Sequence, residues 1–424
     1  MSSPTTAGGR RDDEDEDVFG LRPFVARSSR QRVDSGPMYA SIIQPVRPFT
    51  GVQIADAGPP AAVEGRTRPA PPPGSPDPRT AAAVTDAGAA LLDGLTADQR
   101  DRVTHPVDSE QWQTWLNTHP NILRHGLLLE ELTDQQRHLV TGLMRASLSE
   151  RGYQQARDIM RINGHLVELS GRAEEFGEWP YFVSVFGTPG LDRPWGWQLD
   201  GHHLVLNVVV VNQHVVTTPA FMGSEPCAIT SGPLAGTRVL RPEHDAGLRF
   251  MRSLDAHQRP TATTRPSIRT ADLPPELLHP VNGRVLSGPF RDNVVIPHEG
   301  VRGADLTPTQ RSLLLSAIST YLEWSPDTTA AVRRALASEL LDETSFSWMG
   351  EVADRGPFYY RILGPSVLIE FDHHAGTVFD NPDPTPNHIH TMVRTPLGGD
   401  YGVDLIRQHH ERWDHSTGRH TPWT

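Results

Sequence analysis

A single cysteine, Cys227, in 424 residues excludes a disulfide framework and any cysteine-built zinc or iron–sulfur site. Whatever metal the chain holds must be bound through nitrogen and oxygen. Basic residues are also in deficit, 39 against 51 acidic ones for a formal charge of −12. That balance argues against nucleic acid as a partner, because phosphate backbones are held by a positive footprint. No stretch approaches the roughly 18 apolar residues that a membrane span needs, and no apolar run follows the N-terminal arginines. A soluble, cytoplasmic protein without a membrane partner is expected.

Residues 1–80 differ from the rest. Six consecutive acids, Asp12 to Asp17, precede the proline-rich stretch GPPAAVEGRTRPAPPPGSPDP, and such a segment cannot bury enough apolar surface to offset its chain entropy. A flexible tail is predicted there, followed by one α+β domain over 81–424. Within the tail MYASIIQPVRPFTGV, Met38 to Val52, is apolar enough to dock on the body or on a sister subunit, which would make a homo-oligomer.

Three phrases share one pattern: LTADQR at 95, LTDQQR at 132 and LTPTQR at 306. Thr96, Thr133 and Thr307 each stand three residues before Gln99, Gln136 and Gln310, the spacing of a capping box, so three helices are predicted to start there. Leu139, Val140, Leu143 and Met144 follow the second at helical spacing; Leu314, Ile318, Tyr321 and Leu322 follow the third. Intervals of 37 and 174 residues share no period, so the phrase reads as repeated capping chemistry and not as an internal repeat.

From Tyr181 the texture turns to β: YFVSVFG, HHLVLNVVVVN, HVVTTPAFMG, FYYRILG, SVLIEFD and NHIHTMVRT are β-branched and aromatic runs between turn residues. Turns at Asn212-Gln213 and Gly364-Pro365 imply hairpins and antiparallel pairing. From about Glu243 to Leu306 the pattern is loop-rich and assigns no element. Helices, strands, helices and strands again, without regular βαβ alternation, predict an α+β fold, a mainly antiparallel sheet with flanking helices.

Twenty histidines are what the sequence offers in place of cysteine. His388 and His390 sit two apart on a predicted strand, so both project from one face with Met392 and Arg394; the plain alternative is a solvated strand face. His202 and His203, after WGWQLDG, face opposite ways within a strand. One of them joins a site unless the Gly201 turn frees both, and a core histidine bonded to a carbonyl is the competing reading. Glu225, closing an apolar strand after Gly-Ser, is placed to be a metal ligand, a general base or a turn cap. Ser224 lacks the Gly-x-Ser-x-Gly frame of a serine hydrolase. His373-His374 and His409-His410 read as surface pairs, with His374 able to shuttle protons beside a site. Arg361 and Arg394 are the forks available for an anionic substrate group; Trp195, Trp197, Tyr359 and Tyr360 are the aromatics that could line an apolar pocket.

WGWQLDGHHLVLN, FMGSEP, GPFYYRILGPSVLIEFD and NHIHTMVRTPLGGDYGVDLIRQHH, in that order, resemble the bacterial family called domain of unknown function 3500. LSERGYQQARDIM and RDNVVIPHEGVRGADLTPTQR extend the resemblance over about residues 85 to 415. It implies one continuous domain and brings no settled reaction. The chain departs from the family pattern in DHHAGTVFDNPDPTP, where a shorter loop is usual, and in its acidic leader.

Two imidazoles from 388 and 390 with one from 202 or 203 would suit iron, copper or zinc and leave coordination positions open. Three functions compete. A histidine-ligated iron or copper would serve an oxidoreductase acting on a small organic molecule; zinc would lower the pKa of a bound water for hydrolysis, with Glu225 or His374 managing protons. In the third, the strands display Trp197, Arg394 and Tyr401 to a partner without catalysis. Oxidation is preferred because neither a carboxylate ligand nor a hydrolase motif is evident.

Overall fold

Three capping boxes form where the threonine–glutamine phrases stand, with Thr96, Thr133 and Thr307 each accepting the backbone N–H three residues on and the glutamine returning the bond. The computed structural model describes residues 76–118, 125–277, 283–292, 296–396, 398–414 and 421–422. The acidic leader up to residue 75, and with it the apolar patch at 38–52, lies outside the described residues. The first helix begins at Pro78, capped by Asp77, three residues before the boundary expected from composition.

In chain order the first part runs α1 (Pro78–Asp93), α2 (Ala97–Val103), β1 (Thr104–His105), β2 (Leu127–Leu128), α3 (Asp134–Ser147), α4 (Glu150–Ser170), β3 (Tyr181–Phe186), β4 (Trp195–Gly201), β5 (Leu204–Val211), β6 (His214–Val216) and β7 (Ala220–Ser224). The second runs α5 (Arg241–Ser253), α6 (Gln258–Ala262), β8 (Thr263–Arg265), β9 (Val301–Arg302), α7 (Pro308–Leu322), α8 (Asp327–Glu339), β10 (Ser345–Gly350), β11 (Phe358–Leu363), β12 (Leu368–His373) and β13 (Ile389–Arg394). Helix α9 (Val403–Arg412) follows. The fold is α+β, with one 13-stranded sheet whose path is β1-β3-β4-β5-β7-β13-β12-β11-β10-β8, β2 lying on β3, β6 on β5 and β9 on β10. Its pairs are antiparallel except β1 with β3 and β8 with β10.

The two parts repeat one another. Each sends its elements in the same order, apart from β6, and the path is the same read from either edge until β7 and β13 meet in the middle. Side chains match as well. Gln136 bonds Gln99 in the first part, and Gln310 bonds Gln258 in the second. The indole N–H of Trp197 on β4 donates to Ser147 on α3, while Tyr360 on β11 bonds Tyr321 on α7. Gly88 on α1 gives room to Trp195 and Gly247 on α5 to Tyr360, each position lacking space for a methyl.

This corrects the reading of the phrase as capping chemistry alone. The counterpart of LTADQR is LDAHQR at 254, where Asp255 replaces threonine and still exchanges bonds with Gln258. Missing that copy hid the pairing of 95 with 254 and of 132 with 306. It also left the stretch from 243 unassigned, although α5 and α6 lie in it.

Helices cover one sheet face, where Trp197, Leu206, Met222, Ile389, Val393 and Tyr360 join a common core with Val140, Leu143, Leu314 and Ile318. Smaller clusters cover the other face, one beneath loops with Trp115, Val205, Phe221, Val285 and Met392 and one beneath α9 with Val209, Val211, Leu405 and Ile406. The alternation predicted for β13 therefore holds, with Ile389 and Val393 toward the helices and Met392 opposite.

Candidate metal centre

The His-x-His strand lies at the middle of the sheet, where the two repeats join. His390 stands across from Gly223 in the β7–β13 ladder, and β5 runs beside β7 with Leu204 opposite Met222. The β4–β5 hairpin, closed by the Gly201–Leu204 pair, therefore delivers its two turn residues, His202 and His203, next to the start of β13. His203 adopts φ +60°, the left-handed conformation that a tight turn requires, and this carries its ring out of the strand alternation.

Three Nε2 atoms converge. His203 Nε2 is 3.0 Å from that of His388 and 3.1 Å from that of His390, and the last two are 3.0 Å apart. Nitrogens bonded to one transition metal at about 2.0–2.1 Å stand roughly 3.0–3.4 Å apart for ligand angles of about 90–110°. The triangle fits that shell. All three rings are buried, and 185 residues separate His203 from His388 in sequence.

The tautomer of His388 is fixed by its second nitrogen. His388 Nδ1 lies 2.7 Å from the carbonyl of Ala375; a carbonyl only accepts, so Nδ1 carries the proton and Nε2 presents a lone pair to the other two rings. Ala375 is held there by a loop that Glu225 organises. Both oxygens of this buried carboxylate accept backbone N–H groups, from Thr377 at 3.0 Å, Val378 at 3.0 Å and Phe379 at 3.2 Å. Val378 and Phe379 then pack on Leu166 and Phe176. Glu225 thus caps this turn behind the three rings, its nearest oxygen 3.5 Å from His388 Nδ1.

His374 closes the other side, its ring centroid 3.9 Å from that of His390 and its Nε2 2.9 Å from Asp372 Oδ2. Arg284 grips Asp372 through two nitrogens, at 2.5 and 3.0 Å. A methyl on Gly283, itself at φ +54°, would fall 2.4 Å from the His374 ring, so this glycine admits the imidazole. Of the adjacent pair, His202 turns away to bond Asn163 at 2.6 Å while its ring stacks on His203 at 4.0 Å. The choice left open between 202 and 203 thus falls on His203 in the geometry.

Burial sets the protonation of the group. It pushes His203 and His390 well below the ordinary imidazole range, and the neighbouring histidines push the same way. His374 is lowered to about 4, burial outweighing Asp372 beside it. Neutral imidazole is the form that binds metals, so at neutral pH His203 and His390 have no proton to shed before binding one.

The four residues expected to bind substrate are not brought to the triangle. Arg394 continues the row of His390, yet its guanidinium is consumed by Asp292 at 2.6 Å, Asp400 at 3.0 Å and the carbonyls of Ser287 and Gly288. Arg361 is buried on β11 and pairs with Glu299 at 2.6 Å. Trp197 and Tyr360 lie in the helix-side core, the hydroxyl of Tyr360 bonded to Tyr321 and to the carbonyl of Glu243. The histidines expected at the surface are corrected in part. His373 is buried at the end of β12 and its Nδ1 accepts the Phe358 N–H, and His409 is buried within α9 against Asn212.

Sequence reasoning missed Gly223, Asn117 and the Asp372–Arg284 pair. A methyl on Gly223 would lie 3.0 Å from His203 and 3.1 Å from His390; glycine inside a strand is a sign of close approach, so this signal was present. The carbonyl of Asn117 accepts the His203 N–H at 3.2 Å, while its own buried amide has no hydrogen-bond partner at either atom.

A family profile described as "Protein of unknown function (DUF3500)" matches residues 77–403, and the chain belongs to that family. The match starts at the cap of α1, earlier than the resemblance suggested, and takes in both repeats and all three converging histidines. No curated protein and no solved structure matches the chain. Among the described residues no helix is long and apolar enough to cross a membrane.

Proposed function

We propose that His203, His388 and His390 hold a redox-active iron or copper ion in an oxidoreductase acting on a small organic substrate. The observation that carries this is the triangle of Nε2 atoms, each about 3 Å from the other two, with the His388 lone pair turned inward. Bound there, the metal would supply electron transfer and open coordination positions. Phe221, whose ring centroid is 5.1 Å from that of His390, limits water on one side.

A zinc hydrolase is the second reading. It is favoured by the His374–Asp372 pair beside the triangle, which could take a proton from a zinc-bound water. Elemental analysis of untagged protein, with optical and paramagnetic resonance spectra, separates the two. One iron or copper per chain with a ligand-field signature, absent from His388→Ala/His390→Ala, supports the proposal. Stoichiometric zinc moves the assignment to hydrolysis; full metal content in the double variant, or none in the parent after loading with each ion, ends it.

A further inference from the structure

At the other end of the β7–β13 pair, the repeat places a different kind of site. The β11–β12 turn, counterpart of the turn that carries His203, meets the start of β7 around Thr218, Ser366 and Val367, where a cavity of about 100 Å³ opens between the sheet, α8 and α9. Its walls are mostly apolar, with Val215, Leu322, Val332, Leu336 and Leu405 among them. Arg333 of α8 is set into this wall.

The guanidinium has few partners. One nitrogen donates to Thr395 Oγ1 at 3.2 Å, and among the described residues no carboxylate lies within ion-pair distance of it. Of the acids in the neighbourhood, Asp400 bonds Arg394 and the N–H of Thr395, and Asp404 stands in the cavity lining with Leu405. Burial lowers Arg333 to about 10, with Asp400 acting the other way, so the group remains a cation at neutral pH. Arg333 is half-buried, and a cation against apolar walls is costly unless an anion accompanies it.

We propose that this cavity binds a small organic monocarboxylate, its apolar body against Leu322, Val332 and Leu336 and its carboxylate on Arg333. The size is restrictive. An engineered cavity of about 150 Å³ accepts benzene, so a chain of about four carbons is the class that fits here. Arginine also matches the planar carboxylate with two parallel donors.

The test is calorimetric titration of the full chain with butyrate, butyramide and butylamine at constant ionic strength. Butyrate should bind, with the amide and the amine weaker by about ten-fold or more, the value of a charge-assisted bond. Arg333→Met should weaken butyrate by about ten- to a hundred-fold, Arg333→Lys by less, and Leu336→Trp should block the cavity. Equal affinity for butyrate and butyramide, preference for butylamine, or absence of butyrate binding at tens of millimolar overturns the proposal. The ligand series on the parent chain decides even if Arg333→Met does not fold. His390→Ala should leave butyrate binding unchanged, which keeps this site independent of the metal proposal.

Discussion

Gly223 faces His390 across the ladder of β7 and β13, and a methyl there would press on His390, on His203 and, at 2.7 Å, on the carbonyl of Ile389. The imidazoles meet because the strand beneath them carries no side chain at this point. Gly223→Ala should therefore cost about 1–3 kcal/mol of stability through overpacking and lower metal affinity by about ten-fold or more. Chemical denaturation and metal titration read the two effects; unchanged affinity would mean that the rings do not act together.

His202 and His203 are adjacent and should behave in opposite ways. His203→Ala should remove the metal from purified protein. His202→Ala should retain it and lose stability, because its ring bonds Asn163 behind the centre. Equal metal loss in both would place the ligand at the wrong nitrogen.

Glu225→Gln keeps the size of the side chain and removes the charge that three successive N–H groups share. Hydrogen bonds to a charged acceptor contribute about 1.5–3 kcal/mol, so hydrogen exchange at residues 377–379 should accelerate. Metal affinity should fall less than in the ligand variants, since Glu225 acts through the loop that positions Ala375.

Glu243 gives a pH dependence with a defined sign. Burial raises it above its ordinary value of 4.5, although Arg151 opposes the shift, so the folded state holds this proton more tightly than the unfolded chain. Its stabilising effect is complete below the unfolded value and is lost as pH rises through the folded one. Glu243→Gln should flatten that decline above pH 4.5; a decline of the same slope in the variant would assign it to another group.

The helix starts were legible because capping is local: threonine and glutamine three apart make the same bonds wherever they occur. The faces of β13 were legible for the same reason, strand alternation being set by the backbone. The candidate site was half legible. His388 and His390 announce themselves by spacing, whereas the choice of His203 over His202 rests on one positive φ in a two-residue turn. Arg394 shows the limit in the other direction. Its place on the histidine row is correct, but whether an arginine meets substrate or instead Asp292, 102 residues before it, and Asp400, six after it, depends on how loops fold back on the strand, and no local pattern reports that.

Because β7 and β13 form the seam, each half contributes only part of the triangle: one imidazole from the earlier, two from the later. A polypeptide cut between Ser231 and Arg241 would yield halves unable to assemble the triangle alone, and mixing them could restore it only by re-zipping that central ladder. The same symmetry gives the sheet a second cleft at the β11–β12 turn, and the two differ in content, imidazole nitrogen at one and the guanidinium of Arg333 at its twin.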